Sequence, residues 1–314
     1  MNVLLRNSMA PGDILMLTAA VRDLKRSHPN IRIGVDTTCQ ALWDNNPNVT
    51  LEMTADDADK LIYADYPLYK ENNRLPYHFI HGFRMFLEDV LGLKITQGEF
   101  KPDIYLNDKE KDRGSINRLV GRDTRYWIIN AGGKSDFTNK QWAYERYQEV
   151  VDRTCDKITW VQTGSSRSMQ PLMRNVVDLV GRTSLRDMVS LMYHADGCLT
   201  GVSFPMHLAA MDTPSGVKRP CVVVAGGREP STWEAYPTHQ FIHNCGCYDC
   251  NREGGCWRSR VKKLFDGDHK HDASLCAHPV DIRSQVIPRC MADISVEDVV
   301  SAIHRYFHAG RLLY

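Results

Sequence analysis

The sequence has no run of 18 apolar residues, the length that a bilayer-crossing helix demands, so no transmembrane helix is expected. The opening segment from Met1 to Arg6 is too short an apolar run for the core of a secretion signal, and Asp13 soon interrupts the residues after it. Net charge is nearly absent: 39 Lys and Arg against 38 Asp and Glu leave +1 at pH 7. Bulk charge therefore gives no ground for a nucleic-acid or strongly anionic partner. There is no low-complexity segment and no repeat beyond two loosely similar halves. These absences predict a cytoplasmic protein. A hydrophobic share of 43% and a charged share of 25% are those of an ordinary globular chain. A length of 314 residues suits roughly two domains.

What is present alternates. Asn2–Arg6 reads as a strand, Asp13–Lys25 as a helix with Ile14, Leu17, Val21 and Leu24 on one face, and Ile31–Val35 as the next strand. This βαβ unit implies a parallel sheet. Residues 50–105 are less regular and read as loops and helices. A helix is expected within 107–125, with a domain boundary after it, giving lobes 1–122 and 123–314. The pattern then restarts. Strands are expected at Tyr126–Asn130, Ile158–Gln162, Cys198–Thr200 and Cys221–Ala225. Helices are expected at Ala143–Thr154, Ser184–Ala195, near Pro205–Met211 and at Ser295–Phe307. Ser184 with Asp187, and Ser295 with Asp298, have capping-box spacing. The fold class is α/β, in two Rossmann-like lobes, with a cysteine-rich insert expected at 245–290 in the second.

Ligands of open α/β sheets bind at the C-terminal ends of the strands. The segment from Ser8 to Asp13 lies at such an end. Asp13 there reads either as a general base or as an ordinary helix cap. Gly132, Gly133 and Gly164 follow strands, where backbone N–H groups can approach phosphates or simply make turns. The segment Gly226-Gly227-Arg228-Glu229-Pro230 also follows a strand. Arg228 has two readings, a phosphate contact and a pair with Glu229. Of ten cysteines, six fall between 245 and 290. In a reducing compartment such a cluster points to a metal site ahead of free thiols or disulfides.

Four segments in order resemble the ADP-heptose-using heptosyltransferases of lipopolysaccharide assembly, inverting enzymes of the GT-B fold. They are Gly12-Asp13-Ile14-Leu15 with Ala19-Ala20, Leu24 and Pro29; Ile128 to Gly133 with Lys140-Gln141-Trp142 and Tyr147; Leu179 to Leu185 with Ala195-Asp196; and Ser203 to Ala210. The resemblance covers most of the chain and is poor over 50–105. It implies a GT-B fold, with an acceptor-side first lobe and a second lobe that binds the nucleotide sugar. It implies that Asp13 is the base that deprotonates the acceptor hydroxyl. It also implies that Lys140, otherwise a surface lysine, offsets charge on the departing diphosphate. Thr183, Ser203 and His207 match positions along the donor, although His207 also suits an apolar core. Members of the family usually carry Asp-Ser/Thr-Gly before this last helix. Here Val202, Ser203 and Phe204 stand instead, which leaves the donor open to sugars other than heptose.

Some protein heptosyltransferases of this kind hold a cysteine-bound iron. By that likeness Cys250, Cys256, Cys276 and Cys290 are the expected ligands of a structural iron or zinc, with Cys247 as a substitute for one of them. The expected function is inverting transfer of a sugar from a nucleoside-diphosphate donor to an acceptor hydroxyl on a glycan, a protein or a nucleic-acid base. A catalytically inactive binding protein of the same shape and a sugar-nucleotide epimerase are the alternatives. The aromatic and basic residues Tyr63, Tyr66, Tyr69, Tyr77, Phe79, Phe83 and Arg84 suit stacking on an acceptor and equally suit packing.

Overall fold

The computed structural model describes residues 1–65, 75–133, 136–166, 170–283, 285–308 and 311–312. Tyr66 and Tyr69 lie outside them. The chain divides into two compact units, Met1–Asp112 with Thr232–Tyr236, and Arg113–Ser231 with Pro237–Tyr314. Among the described residues no helix is long and apolar enough to cross a membrane.

The first unit is built on β1 (Asn2–Asn7), α1 (Pro11–Ser27) and β2 (Arg32–Thr37), followed by β3 (Lys60–Tyr63), α2 (Phe79–Leu91) and the short α3 (Asp108–Lys111). The strands form a parallel sheet in the order β2-β1-β3. Strand β1 is central, so Val3, Leu4 and Leu5 are all buried, as a continuous apolar run in a parallel sheet requires. The sequence reading of 50–105 as loops and helices missed β3. The strand is only four residues long, and of its apolar residues Leu61, Ile62 and Tyr63 only Ile62 is buried, so its sequence shows no alternation to read. The aromatic residues Phe79 and Phe83 are buried: Phe79 sits edge-on to Trp233, with ring centres 4.3 Å apart. Packing therefore accounts for these two residues.

In the second unit come α4 (Arg113–Val120), β4 (Trp127–Asn130), α5 (Tyr144–Thr154), β5 (Trp160–Gln162), β6 (Val176–Asp178), α6 (Leu185–His194), β7 (Gly197–Gly201), α7 (Phe204–Ala209), β8 (Cys221–Gly226), α8 (Ser231–Glu234, shared with the first unit) and β9 (His239–His243). Beyond them lie α9 (His269–Asp272), the hairpin β10 (Pro279–Ile282) and β11 (Gln285–Pro288), α10 (Arg289–Ala292), α11 (Val296–His304), and the two-residue strands β12 (Phe307–His308) and β13 (Arg311–Leu312). The main sheet has six parallel strands in the order β6-β5-β4-β7-β8-β9. That order reverses direction between β4 and β7, the doubly wound arrangement. Strands β6 and β9 were not expected from the sequence. Val176–Asp178 is only three residues long, and His239–His243 is polar at both ends.

Both expected capping boxes form: the Ser184 hydroxyl accepts from Asp187 N–H at 3.1 Å, and Ser295 from Asp298 N–H at 3.1 Å. Helix α11 stops at His304, short of the expected Phe307. Tyr306 and Phe307 are drawn instead onto the sheet. The Tyr306 hydroxyl donates to the carbonyls of Cys221 and Thr238, and Phe307 stacks on Trp127. The buried Arg219 closes two helix ends. It donates to Tyr193 and Ala195 at the end of α6, and to Ala209 and Met211 at the end of α7. A cation at these carbonyl ends complements both helix dipoles, although burial pushes its pKa down to about 10.

Strands β4 and β7 meet with Trp127 opposite Gly197. A Cβ added at Gly197 would fall inside the van der Waals surface of the buried Trp127 ring. We expect Gly197→Ala to destabilise the protein by about 1–3 kcal/mol, the usual cost of overpacking a core. Urea unfolding monitored by tryptophan fluorescence checks this, and an unchanged midpoint would contradict it.

Candidate functional site

In the second unit, the candidates read from the sequence fall on one edge of one sheet. Gly132 and Gly133 follow β4, Gly164 follows β5, Thr183 follows β6, Ser203 and His207 follow β7, and Arg228 follows β8. Parallel strands bring their C-terminal ends to the same side, and the order reversal at β4 and β7 puts the natural ligand crevice there. Gly164 has φ +155, and its carbonyl accepts from Gly181 N–H at 2.8 Å, so it serves a turn that joins two of these loops. Ser203 caps the six-residue α7; its hydroxyl lies 3.1 Å from the Thr200 hydroxyl. Thr183 is half-buried just before the cap of α6, and His207 is buried within α7.

Lys140 ends a one-turn 3-10 helix, Thr138–Lys140, and its ammonium lies 2.8 Å from Glu229 Oε1. The Arg228 guanidinium holds the same oxygen. Two cations far apart in sequence thus share one carboxylate at the strand ends. Arg228 is further fixed by donating from Nε to the Arg258 carbonyl at 2.7 Å, and by lying over the rings of Phe137 and Trp257 at 5.1 and 5.7 Å. The pair of Arg228 with Glu229 forms, and Glu229, which the sequence offered only as a local partner, also holds Lys140. Nothing in the sequence tied Lys140 to it.

The segment Cys256–Val261 holds both cation-bearing loops. On one side Cys256 N–H donates to Gly227 O and Trp257 N–H to Arg228 O. On the other, Asn139 N–H donates to Ser259 O, Val261 N–H to the Thr138 hydroxyl, and Arg260 Nε to Asp136 O. Asn139, buried, adds a side-chain bond to Arg258 O at 3.3 Å. No sequence motif marked Asn139. The segment itself is anchored by Arg260, whose fully buried side chain pairs with Asp266 and Asp272.

Around this segment stand the cysteines. Each of Cys250, Cys256, Cys276 and Cys290 lies within electrostatic reach of the other three. Burial, aided by these neighbours, raises the pKa of Cys256 and Cys276, and pushes Cys290 to about 11. Backbone N–H groups point at three of the sulfurs: Arg258 at Cys256, His278 at Cys276 (3.4 Å) and Gly227 at Cys290. Among the described residues, no three His, Cys, Asp or Glu side chains stand close enough to form a ready ligand set. All six clustered cysteines are unpaired thiols.

In the first unit, Asp13 is buried in the first turn of α1, and its Oδ2 accepts from Ala10 N–H at 3.1 Å. The carboxylate is thus a third-position helix residue reaching back to the N-terminus.

The sequence profile of glycosyltransferase family 9 (heptosyltransferase) matches residues 65–253, more than half of the chain, and the chain belongs to that family. Among curated proteins nothing matches it. Among solved structures, the chain is similar to E. coli ADP-heptose lipopolysaccharide heptosyltransferase II, at TM-score 0.59 and 15% identity over 97% of this chain and 98% of that one. A family 9 glycosyl transferase from Veillonella parvula gives TM-score 0.59 and 16% identity over 80% and 88%. The iron-containing dodecameric glycosyltransferase TibC of enterotoxigenic E. coli, also known in complex with ADP-D-beta-D-heptose, gives TM-score 0.57 and 13% identity over 96% and 75%. The fold is GT-B, and the protein is a glycosyltransferase.

The thiol environments separate by reactivity. Cys155 and Cys247 are exposed, whereas burial raises the pKa of Cys245 (to about 12), Cys256, Cys276 and Cys290. A raised thiol pKa means less thiolate at pH 8, and the thiolate is the nucleophile. In protein stripped of any metal, iodoacetamide at pH 8 should label Cys155 and Cys247 first and these four at least about tenfold more slowly. Peptide mapping reads the order; equal rates would show that the buried environment is absent in solution.

Proposed function

We propose that this family 9 glycosyltransferase moves a sugar, with inversion, from a nucleoside-diphosphate donor to an acceptor hydroxyl. Its relatives' ADP-heptose makes that sugar nucleotide the first donor to examine. The observation that carries the reading is the pairing of Lys140 and Arg228 on one carboxylate at the ligand-binding edge of a doubly wound sheet. Two cations there suit a diphosphate. The loops with Gly132, Gly133 and Gly164 supply backbone N–H groups to phosphate, and Thr183, Ser203 and His207 lie along the nucleotide sugar. Val202-Ser203-Phe204 gives no acid at the position where the family usually has one, so the sugar hydroxyls are held differently here.

In the proposed step the acceptor oxygen attacks the anomeric carbon as the bond from that carbon to the diphosphate oxygen breaks. Asp13 takes the hydroxyl proton, and Lys140 and Arg228 meet the charge gathering on the leaving diphosphate. A single displacement inverts the anomeric centre. The acceptor hydroxyl sits on a glycan, a protein or a nucleic-acid base, and an acceptor screen with the ADP sugar distinguishes these.

The four neighbouring thiols suit an iron or zinc ion in donor chemistry. Soft sulfur donors, N–H groups aimed at three of them, and a polar segment with little apolar core are what a structural thiolate site uses. Cys250, Cys256, Cys276 and Cys290 would hold the ion, with Cys247 able to replace one. Bound there, it would cross-link the segment that carries both cation loops. Four protein sulfurs leave no coordination position for substrate, so its contribution is to shape.

Two outcomes are expected. Asp13→Asn keeps side-chain shape and removes the base, so turnover should fall by about 10²–10⁴-fold with donor affinity nearly unchanged. Turnover within about twofold of the parent would remove Asp13 from the mechanism. Elemental analysis of protein purified without added metal should find about one iron or zinc per chain, lost in Cys256→Ser and Cys290→Ser. Less than about a tenth of an equivalent would sink the metal site.

A further inference from the structure

The Lys140–Glu229–Arg228 cluster contains one group that the proposed transfer step does not use. Glu229 is only 3% exposed, and its Oε1 serves both cations while its buried Oε2 has no hydrogen-bond partner among the described residues. An unsatisfied buried carboxylate oxygen costs stability, so a purely architectural role explains it poorly. The loop that bears it cannot follow a moving partner. The Glu229 carbonyl accepts from the Cys245 thiol at 3.2 Å, and a Cβ at Gly255 would collide with the Arg228 carbonyl and the Pro230 ring. Arg228 is equally fixed, through the Arg258 carbonyl and two aromatic faces. Lys140 differs. Its side chain is 28% exposed, against 10% for Arg228, and reaches the carboxylate on a flexible four-carbon stem.

We infer that Glu229 is a positioning residue, the built-in counter-anion of the donor site, which holds Lys140 in the empty enzyme and releases it to an incoming diphosphate. The inference rests on reading Lys140 and Arg228 as the diphosphate-binding cations. The carboxylate does two things. It keeps two like charges together at the strand ends before any anion arrives, and it competes with the product nucleotide for Lys140 afterwards. Donor binding therefore exchanges one anion for another at Lys140, while Arg228 stays in place. The arrangement gives up donor affinity in return for a lysine already aimed and a product that leaves.

Titration calorimetry with ADP and with uncharged adenosine tests this on the intact protein. Glu229→Gln keeps the shape and deletes the charge. It should bind ADP on the order of tenfold more tightly, the effect of one nearby charge on an ionic equilibrium, and adenosine as the parent does. With a sugar donor, KM and kcat should both fall. In a Lys140→Met background most of the ADP gain should vanish, because the two residues act as one pair. Glu229→Asp withdraws the carboxylate by one methylene and should bind ADP with intermediate affinity; it serves as the reading if the Gln variant does not fold. ADP binding that is unchanged or weaker in these variants, or a change shared equally by adenosine, would overturn the inference. If Lys140→Met and Arg228→Met each leave ADP affinity untouched, the underlying assignment of the cations fails instead, and the inference falls with it.

Discussion

The arrangement of the second unit depends on one short length of backbone. Residues 256–261 hydrogen-bond on one side to the loop after β8 and on the other to the turn that ends in Lys140. Without that double attachment, Lys140 and Arg228 would sit on separate loops, each with conformational freedom to lose when an anion binds. With it, both are set before the ligand arrives. The buried Arg260 and its aspartates keep the segment in register, so an ionic cluster does here what an apolar core does elsewhere in the unit. Removing one partner from such a cluster is far more damaging than the net worth of the pair suggests.

The same segment explains why cysteines and cations are neighbours. Cys256 opens it, and Gly227, just before Arg228, aims its N–H at Cys290. The thiols thus border the cation loops. A constraint applied at the sulfurs is thereby passed to the charged side chains through backbone, which is stiffer than any chain of side-chain contacts.

The sequence showed the alternation of strands and helices wherever strands were fully buried and helices were capped. Val3–Leu5, Trp127–Ile129 and Val222–Val224 are uninterrupted apolar runs, and Ser184 and Ser295 sit where caps were expected. Strands β3, β6 and β9 escaped notice because they are short, or because sheet neighbours rather than their own side chains hold them. The candidate site was legible one residue at a time. Each glycine or cation could be placed after a strand, since position along the chain determines that. The meeting of Lys140 with Glu229 could not be, because it depends on a backbone bridge from residues 256–261, and hydrogen bonds between irregular segments leave no periodic trace in sequence. Asn139 was invisible for the same reason. The departure at Val202-Ser203-Phe204 was visible at once, and the structure adds that Ser203 is engaged with the Thr200 hydroxyl and the Gly201 carbonyl.

The stretch beyond Val261 returns to its own starting point. Ser259 and Arg260 N–H groups both donate to the Ser274 carbonyl, and Arg260 bridges Leu275, so the chain leaves and re-enters at adjacent positions. Residues 262–273 therefore form an excursion closed at its base, with Phe265 exposed on it and Asp266 and Asp272 turned back to Arg260. Closure cost grows only slowly with loop length. Related chains can accordingly differ in this excursion by many residues while the cation loops stay where they are. One requirement travels with any exchange: the new loop must bring anions to Arg260, as Asp266 and Asp272 do, or leave a guanidinium stranded in the interior. Variation in this region is thus free in size and outline and restricted in charge.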